Sequence, residues 1–149
     1  MQPTTLCYLI RENEVLLAMK KRGFGEGKWN GPGGKIQEGE TSEEACIREV
    51  MEEVGMEPLE MEHRGLVDFR WVDRPEWNHP CDIYVCTAWK GEPQESEEMK
   101  PAWYSIDALP FDQMWGDDVY WLENVLRGGR VSMRFDFNVA GEILDHGVI

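Results

Sequence analysis

The stretch whose reading decides the fold is Gly34-Lys35-Ile36-Gln37-Glu38-Gly39-Glu40, resumed at Arg48-Glu49-Val50-Met51-Glu52-Glu53-Val54-Gly55-Met56. A helix starts near Thr41 or Ser42, because Thr41 and Glu44 have the spacing of a capping box and Glu43 and Glu44 favour the positive helix end. Ala45, Ile47, Val50, Met51 and Val54 recur at helical spacing, and Gly55 supplies the stop. On that helix Glu49 and Glu53 stand one turn apart, with Glu52 on the adjoining edge of the same face. Like charges so spaced cost a few tenths of a kcal/mol, roughly, per pair. A hard divalent cation with oxygen ligands is the natural compensation. Arg48, four residues before Glu52, can hold a carboxylate in place, and Glu40 can orient Arg48 or a ligand. A merely solvated acidic helix is the competing reading of these acids taken alone.

Outward from the helix, the segment from Gly23 through Gly34 carries glycine and proline at a density that predicts irregular structure throughout. Before it, Leu6 to Ile10 and Val15 to Met19 read as strands joined by a turn at Glu12-Asn13. After it, strands are expected around Gly65 to Val72, Asp82 to Trp89 and Pro101 to Ile106. Asp117 or Asp118 is expected to cap a second helix ending near Leu126. Val131, Met133, Phe135 and Phe137 then alternate as a strand, and a hairpin through Asn138 to Gly141 leads to Glu142-Ile143-Leu144. Mostly antiparallel strands with two helices on their faces predict an α+β sandwich.

The 149 residues suit one domain spanning 1–149, and 42% hydrophobic with 30% charged residues is the profile of a globular chain. A net charge of −14 disfavours nucleic-acid polymers as partners. The charge is uneven: Lys20, Lys21, Arg22, Lys28 and Lys35 cluster, while Glu38 to Glu62 carries ten glutamates against one basic residue, Arg48. A basic loop beside an acidic helix suits a phosphate held by cations and bridging metal. No run approaches the roughly 18 apolar residues of a membrane span. The opening Met1-Gln2-Pro3-Thr4-Thr5 lacks a signal-peptide pattern, so a cytoplasmic location is expected. Cys7, Cys46, Cys81 and Cys86 form no CxxC pair and read as buried thiols rather than disulfides or a zinc site.

The full pattern resembles the Nudix box: Gly34, five residues, Glu40, seven residues, then Arg48-Glu49, an aliphatic, any residue, Glu52-Glu53, any residue, Gly55 and an aliphatic. The resemblance implies an α/β/α sandwich with a mixed, largely antiparallel sheet, and hydrolysis of a nucleoside diphosphate linkage. It also implies Mg²⁺, with Mn²⁺ able to substitute. Carried over by position, Glu49, Glu52 and Glu53 are metal ligands with the Gly33 carbonyl, and Glu98, near Glu95 and Glu97, is the candidate from a distant loop. Catalysis is expected from Glu53, as the base that takes a proton from water, with Glu52, Glu49 and Arg48.

Outside the box, Met19 to Gly25, Lys28-Trp29-Asn30-Gly31, Gly33-Gly34-Lys35, Glu95 to Met99 and Pro110-Phe111 through Met114-Trp115 to Asp117-Asp118 are similar to the human-type oxidised purine nucleoside triphosphatases. These convert 8-oxo-dGTP and 2-hydroxy-dATP to monophosphate and pyrophosphate. Trp115 and Phe24, with Phe69, offer flat faces to a base. Asn30 presents a donor and an acceptor. Adjacent Asp117 and Asp118, once desolvated, can share a proton, so that one accepts and the other donates. The resemblance adds Thr5, Lys20, Gly34 and Lys35 as substrate-binding positions. Pro32, Gly116 and Cys81 depart from that subfamily's pattern. Arg70 and Val72 stand where the ADP-ribose and dinucleoside polyphosphate subfamilies carry a proline and a tyrosine. Hydrolysis of another nucleoside diphosphate derivative, such as an unmodified triphosphate or ADP-ribose, remains the alternative, with a non-catalytic nucleotide sensor behind it. A monomer acting on a small nucleotide, away from membranes, is expected.

Overall fold

The strands alternate their side chains between two separate cores, and that alternation sets the layers. A computed structural model describes residues 2–149; Met1, the first residue of the segment read for a signal peptide, lies outside the described residues. In chain order the elements are β1 (Thr4–Arg11), β2 (Glu14–Lys20), β3 (Trp29–Asn30), β4 (Gly33–Lys35), α1 (Ser42–Val54), β5 (Glu57–Trp71), β6 (His79–Lys90), β7 (Met99–Ser105), α2 (Asp118–Leu126), β8 (Val131–Phe137) and β9 (Ile143–Val148). On β1, Tyr8 packs with α2 while Cys7 and Leu9 pack with α1; on β2, Val15 and Leu17 take the first side, Leu16 and Ala18 the second. The period of two along a strand therefore feeds a core on each face of the sheet. The result is an α+β sandwich with a helix over each face.

The strand order is β3-β2-β1-β6-β5-β8-β9, with β4 also on β1 and β7 also on β2. Only β1–β6 and β5–β8 are parallel, so the sheet is mixed and largely antiparallel, as the sequence pattern leads one to expect. The helix α1 begins as its sequence specifies. Thr41 Oγ1 accepts from the Glu44 amide and Glu44 accepts from the Thr41 amide, closing the capping box, and Gly55 ends the helix in the left-handed region at φ 73°.

Three expectations need correction. The glycine-rich segment is not wholly irregular, because β3 pairs with β2 and β4 with β1. A Cβ at Gly33 would lie 2.0 Å from the Thr5 carbonyl, so the same glycines that suggest a loop allow β4 its close approach. The strand β5 starts at Glu57, eight residues before the alternation becomes legible, since its first half presents polar residues outward. Neither Asp117 nor Asp118 caps α2 with its side chain; Asp117 already has helical angles and both carboxyls turn into the core. The four cysteines are free and buried, matching their reading as small apolar groups.

Candidate active site

The box glutamates are placed by α1 against the backbone of β4. Arg48 is the hub of this side. Its guanidinium grips Glu40 through two bonds of 2.7 and 2.9 Å and reaches Glu49 at 2.8 Å, Glu52 at 3.4 Å and the Lys35 carbonyl at 3.0 Å. The paired Arg48 holds the Glu40 carboxyl down to about 2, and the Arg48 charge is itself reinforced by Glu40 and then Glu49. Glu53 turns away from this network. Its Oε2 accepts from the Gly33 amide at 3.0 Å, and burial, joined by the Glu49 charge, pushes its pKa up to about 8. Burial also raises Glu49, against the pull of Arg48. A Cβ at Gly34 would lie 2.5 Å from the Glu49 carboxyl carbon, so the glycine leaves room for the Glu49 carboxyl where it lies against the loop.

The three helix acids do not converge on one point. Among the described residues no group of three acidic, histidine or cysteine side chains has the geometry to hold a metal. Arg48 draws Glu49 and Glu52 to one side, and the Gly33 amide, rather than its carbonyl, meets Glu53. Glu98, near enough for its charge to add to the rise of Glu53, is paired with Arg22 at 3.4 Å, while Lys21 pairs with Glu95. Of the basic cluster, Lys21 and Arg22 are thus engaged by the 95–98 loop, and Lys20 and Lys28 are the members that line the cavity.

That cavity is lined both by Glu53, Gly33 and Gly34 and by the aromatic and acidic residues Phe24, Trp115, Asp117 and Asp118, so one space joins both halves of the site. Thr5, Lys20, Phe24, Asn30, Phe69, Trp115, Asp117 and Asp118 all line it. Lys35 does not; it stands exposed at the end of β4. Phe24 stacks on Trp115 with centroids 5.4 Å apart, and the Lys28 ammonium lies 5.2 Å from the Trp115 ring centre. Asp117 and Asp118 are 1% and 2% exposed, and each keeps one oxygen without a partner, as does the Thr5 hydroxyl. Buried polar atoms left unsatisfied are costly and mark places where a ligand is wanted. Trp121 Nε1 donates to Asp117 at 2.9 Å. Burial raises Asp117 to about 6, and burial plus the Asp117 charge raises Asp118 well above the carboxylate range.

Sequence reasoning missed Trp71, His79 and Phe137 on the cavity wall, and Tyr8 beneath Asn30. Phe69 and Trp71 share a face of β5, so period-two spacing was the available signal for Trp71. For Phe137 the signal lay only in the pairing of β8 with β5, and for Tyr8 in the order that sets β1 and β3 on either side of β2, which no local pattern reveals.

The NUDIX domain family matches residues 1–125. An oxidized purine nucleoside triphosphate hydrolase of Danio rerio is 42% identical over 144 residues, covering 95% of this chain and 90% of that protein. The protein of the same name from Mus musculus is 40% identical, covering 97% and 92%. The solved mutator MutT protein of Bacillus halodurans superposes with a TM-score of 0.89 at 27% identity, covering 99% of this chain and 97% of that one. With a matched family domain over most of its length, relatives this similar end to end, and the box glutamates of α1 seated against β4, this chain belongs to the Nudix family of hydrolases.

Proposed function

We propose that the chain is a Mg²⁺-dependent hydrolase that converts oxidised purine nucleoside triphosphates, 8-oxo-dGTP and 2-hydroxy-dATP among them, to monophosphate and pyrophosphate. The observation that carries this reading is a single cavity lined both by Glu53 and by the buried, partly unsatisfied pair Asp117 and Asp118. The names of the zebrafish and mouse relatives support it. In this reading the base lies against Trp115 and Phe24, beside Phe69, and its hydrogen-bonding edge meets Asn30, Asp117, Asp118 and Thr5. Asp117 and Asp118 hold fewer charges than two carboxylates, so one donates while the other accepts, and exchanging roles admits either oxidised base. Lys20 and the Gly34 backbone face the sugar and phosphates.

The acidic side fits a hard cation, because Glu53 and Glu49 supply oxygen donors whose charge is disfavoured by burial as the side chains stand. Glu49, Glu52, Glu53 and the Gly33 carbonyl would hold it, and Glu98 would join by giving up Arg22. A divalent ion bound there supplies charge neutralisation for the phosphate oxygens and an acidified water. Arg48, held by Glu40, keeps Glu49 and Glu52 oriented. Glu53 takes the proton of the attacking water at its carboxylate. The chain is read as one domain and a monomer acting in the cytoplasm, consistent with four reduced, buried thiols. No described helix is long and apolar enough to cross a membrane.

The test is product analysis with 8-oxo-dGTP and added Mg²⁺. Release of pyrophosphate and monophosphate, lost in Glu53→Gln, is expected; release of orthophosphate, or turnover that survives the substitution, would sink the reading.

A further inference from the structure

Asn30 holds its amide in one orientation. The Gly31 amide can only donate, and it lies 2.9 Å from Asn30 Oδ1, so that atom must be the oxygen. The Tyr8 hydroxyl lies 3.2 Å from the same oxygen and therefore donates to it. Among the described residues the Asn30 NH₂ has no acceptor, and Asn30 lines the cavity. Tyr8 itself has little freedom. It is fully buried on β1, a Cβ at Gly31 would sit 2.7 Å from its ring, and Trp121 meets it edge-on with centroids 6.1 Å apart. Because Trp121 also donates to Asp117, both polar walls of the cavity hang on one buried aromatic pair.

We propose that Tyr8 is a positioning residue for base selection: with the Gly31 amide it saturates Asn30 Oδ1, leaves only the NH₂ facing the cavity, and so favours a 6-oxo purine over a 6-amino purine. The inference rests on the reading of Asn30 as a base contact given above. A carbonyl at purine position 6 accepts from the NH₂, whereas an amino group opposes donor to donor. Turning the amide over to suit the amino group would set its NH₂ against the Gly31 N–H, and in the orientation held by Gly31 the Tyr8 hydroxyl occupies the second lone pair of Oδ1, which an amino group would otherwise use. Tyr8→Phe frees that lone pair and leaves the ring packing in place.

Steady-state kinetics on 8-oxo-dGTP and 2-hydroxy-dATP, wild type against Tyr8→Phe, test this. The KM for 8-oxo-dGTP is expected to rise about fivefold, the weight of one hydrogen bond, with kcat changed less than about twofold and the KM for 2-hydroxy-dATP unchanged or lower. An equal change on both substrates, or none, overturns the proposal. Asn30→Asp provides a second arm, since it keeps both bonds to one oxygen and turns the other atom into an acceptor. The preference between the two bases should then invert, and an equal loss on both would count against Tyr8. If wild-type protein ignores both oxidised triphosphates, the functional reading has failed; if it hydrolyses them and Tyr8→Phe keeps the wild-type ratio, only this inference has.

Discussion

At the scale of single residues the site is built on carboxyls whose surroundings oppose their charge. Arg48 claims Glu49 and Glu52 and leaves the buried Glu53 unpaired with a cation among the described residues, although all three look alike on the helical wheel. Replacing Glu53 by Gln should lower kcat by about 10²- to 10⁴-fold, the usual worth of a positioned base, with KM nearly unchanged; a loss confined to KM would move the base elsewhere. Asp117 and Asp118 present two atoms of the same type in different settings, one bonded to Trp121 and one not. Asp117→Asn and Asp118→Asn should therefore shift the 8-oxo-dGTP to 2-hydroxy-dATP ratio in different directions, which parallel kinetics would show; equal losses on both substrates would contradict proton sharing. The helix glutamates were legible because their spacing alone puts them on one face. Their pairing with Arg48 and Gly33 was not, since it depends on how β4 lies against α1. Tyr8 was hidden for the same reason: nothing local marks a tyrosine that reaches across to Asn30.

At the scale of elements, α1 and β8 could be read nearly to the residue, because caps and alternation are local signals. The strands β3 and β4, and the first half of β5, were hidden because their pairing is set by a distant partner. Gly65 shows the limit: it has φ 132°, and a Cβ there would sit 1.8 Å from the Val131 carbonyl of β8, a contact with no counterpart in local sequence. The clasp between Glu40 and Arg48 links the start of α1 to its catalytic face. Glu40→Gln is expected to weaken Mg²⁺ activation by about tenfold or more, as loss of a supporting partner does, with a smaller effect on unfolding temperature. Titrating Mg²⁺ against rate would show it, and an unchanged metal requirement would make Glu40 merely structural.

At the scale of the whole molecule, the charge of −14 and the layered sheet act together. The acids crowd the segment from Glu38 to Glu62, while Lys20 and Lys28 line the cavity beside Glu53, Asp117 and Asp118, which sets two cations in the site of an anionic protein. This contrast was visible as uneven charge along the chain; that Lys21 and Arg22 are instead tied to Glu95 and Glu98 was not. Because Asp117 is raised to about 6 and Asp118 further, the folded state binds more protons than the unfolded one. Stability should then be fullest below the ordinary carboxylate pKa and decline as pH rises through about 6. Asp118→Asn should flatten that decline in denaturant titrations between acid and neutral pH, and a slope unaltered by the substitution would argue against the buried pair as its source. The central claim, that this cavity selects oxidised purines, is tested most directly by kcat/KM with Mg²⁺ across 8-oxo-dGTP, 2-hydroxy-dATP, dGTP, dATP and ADP-ribose. The account expects the two oxidised triphosphates to lead clearly; comparable rates on the unmodified triphosphates, or a preference for ADP-ribose, would contradict it.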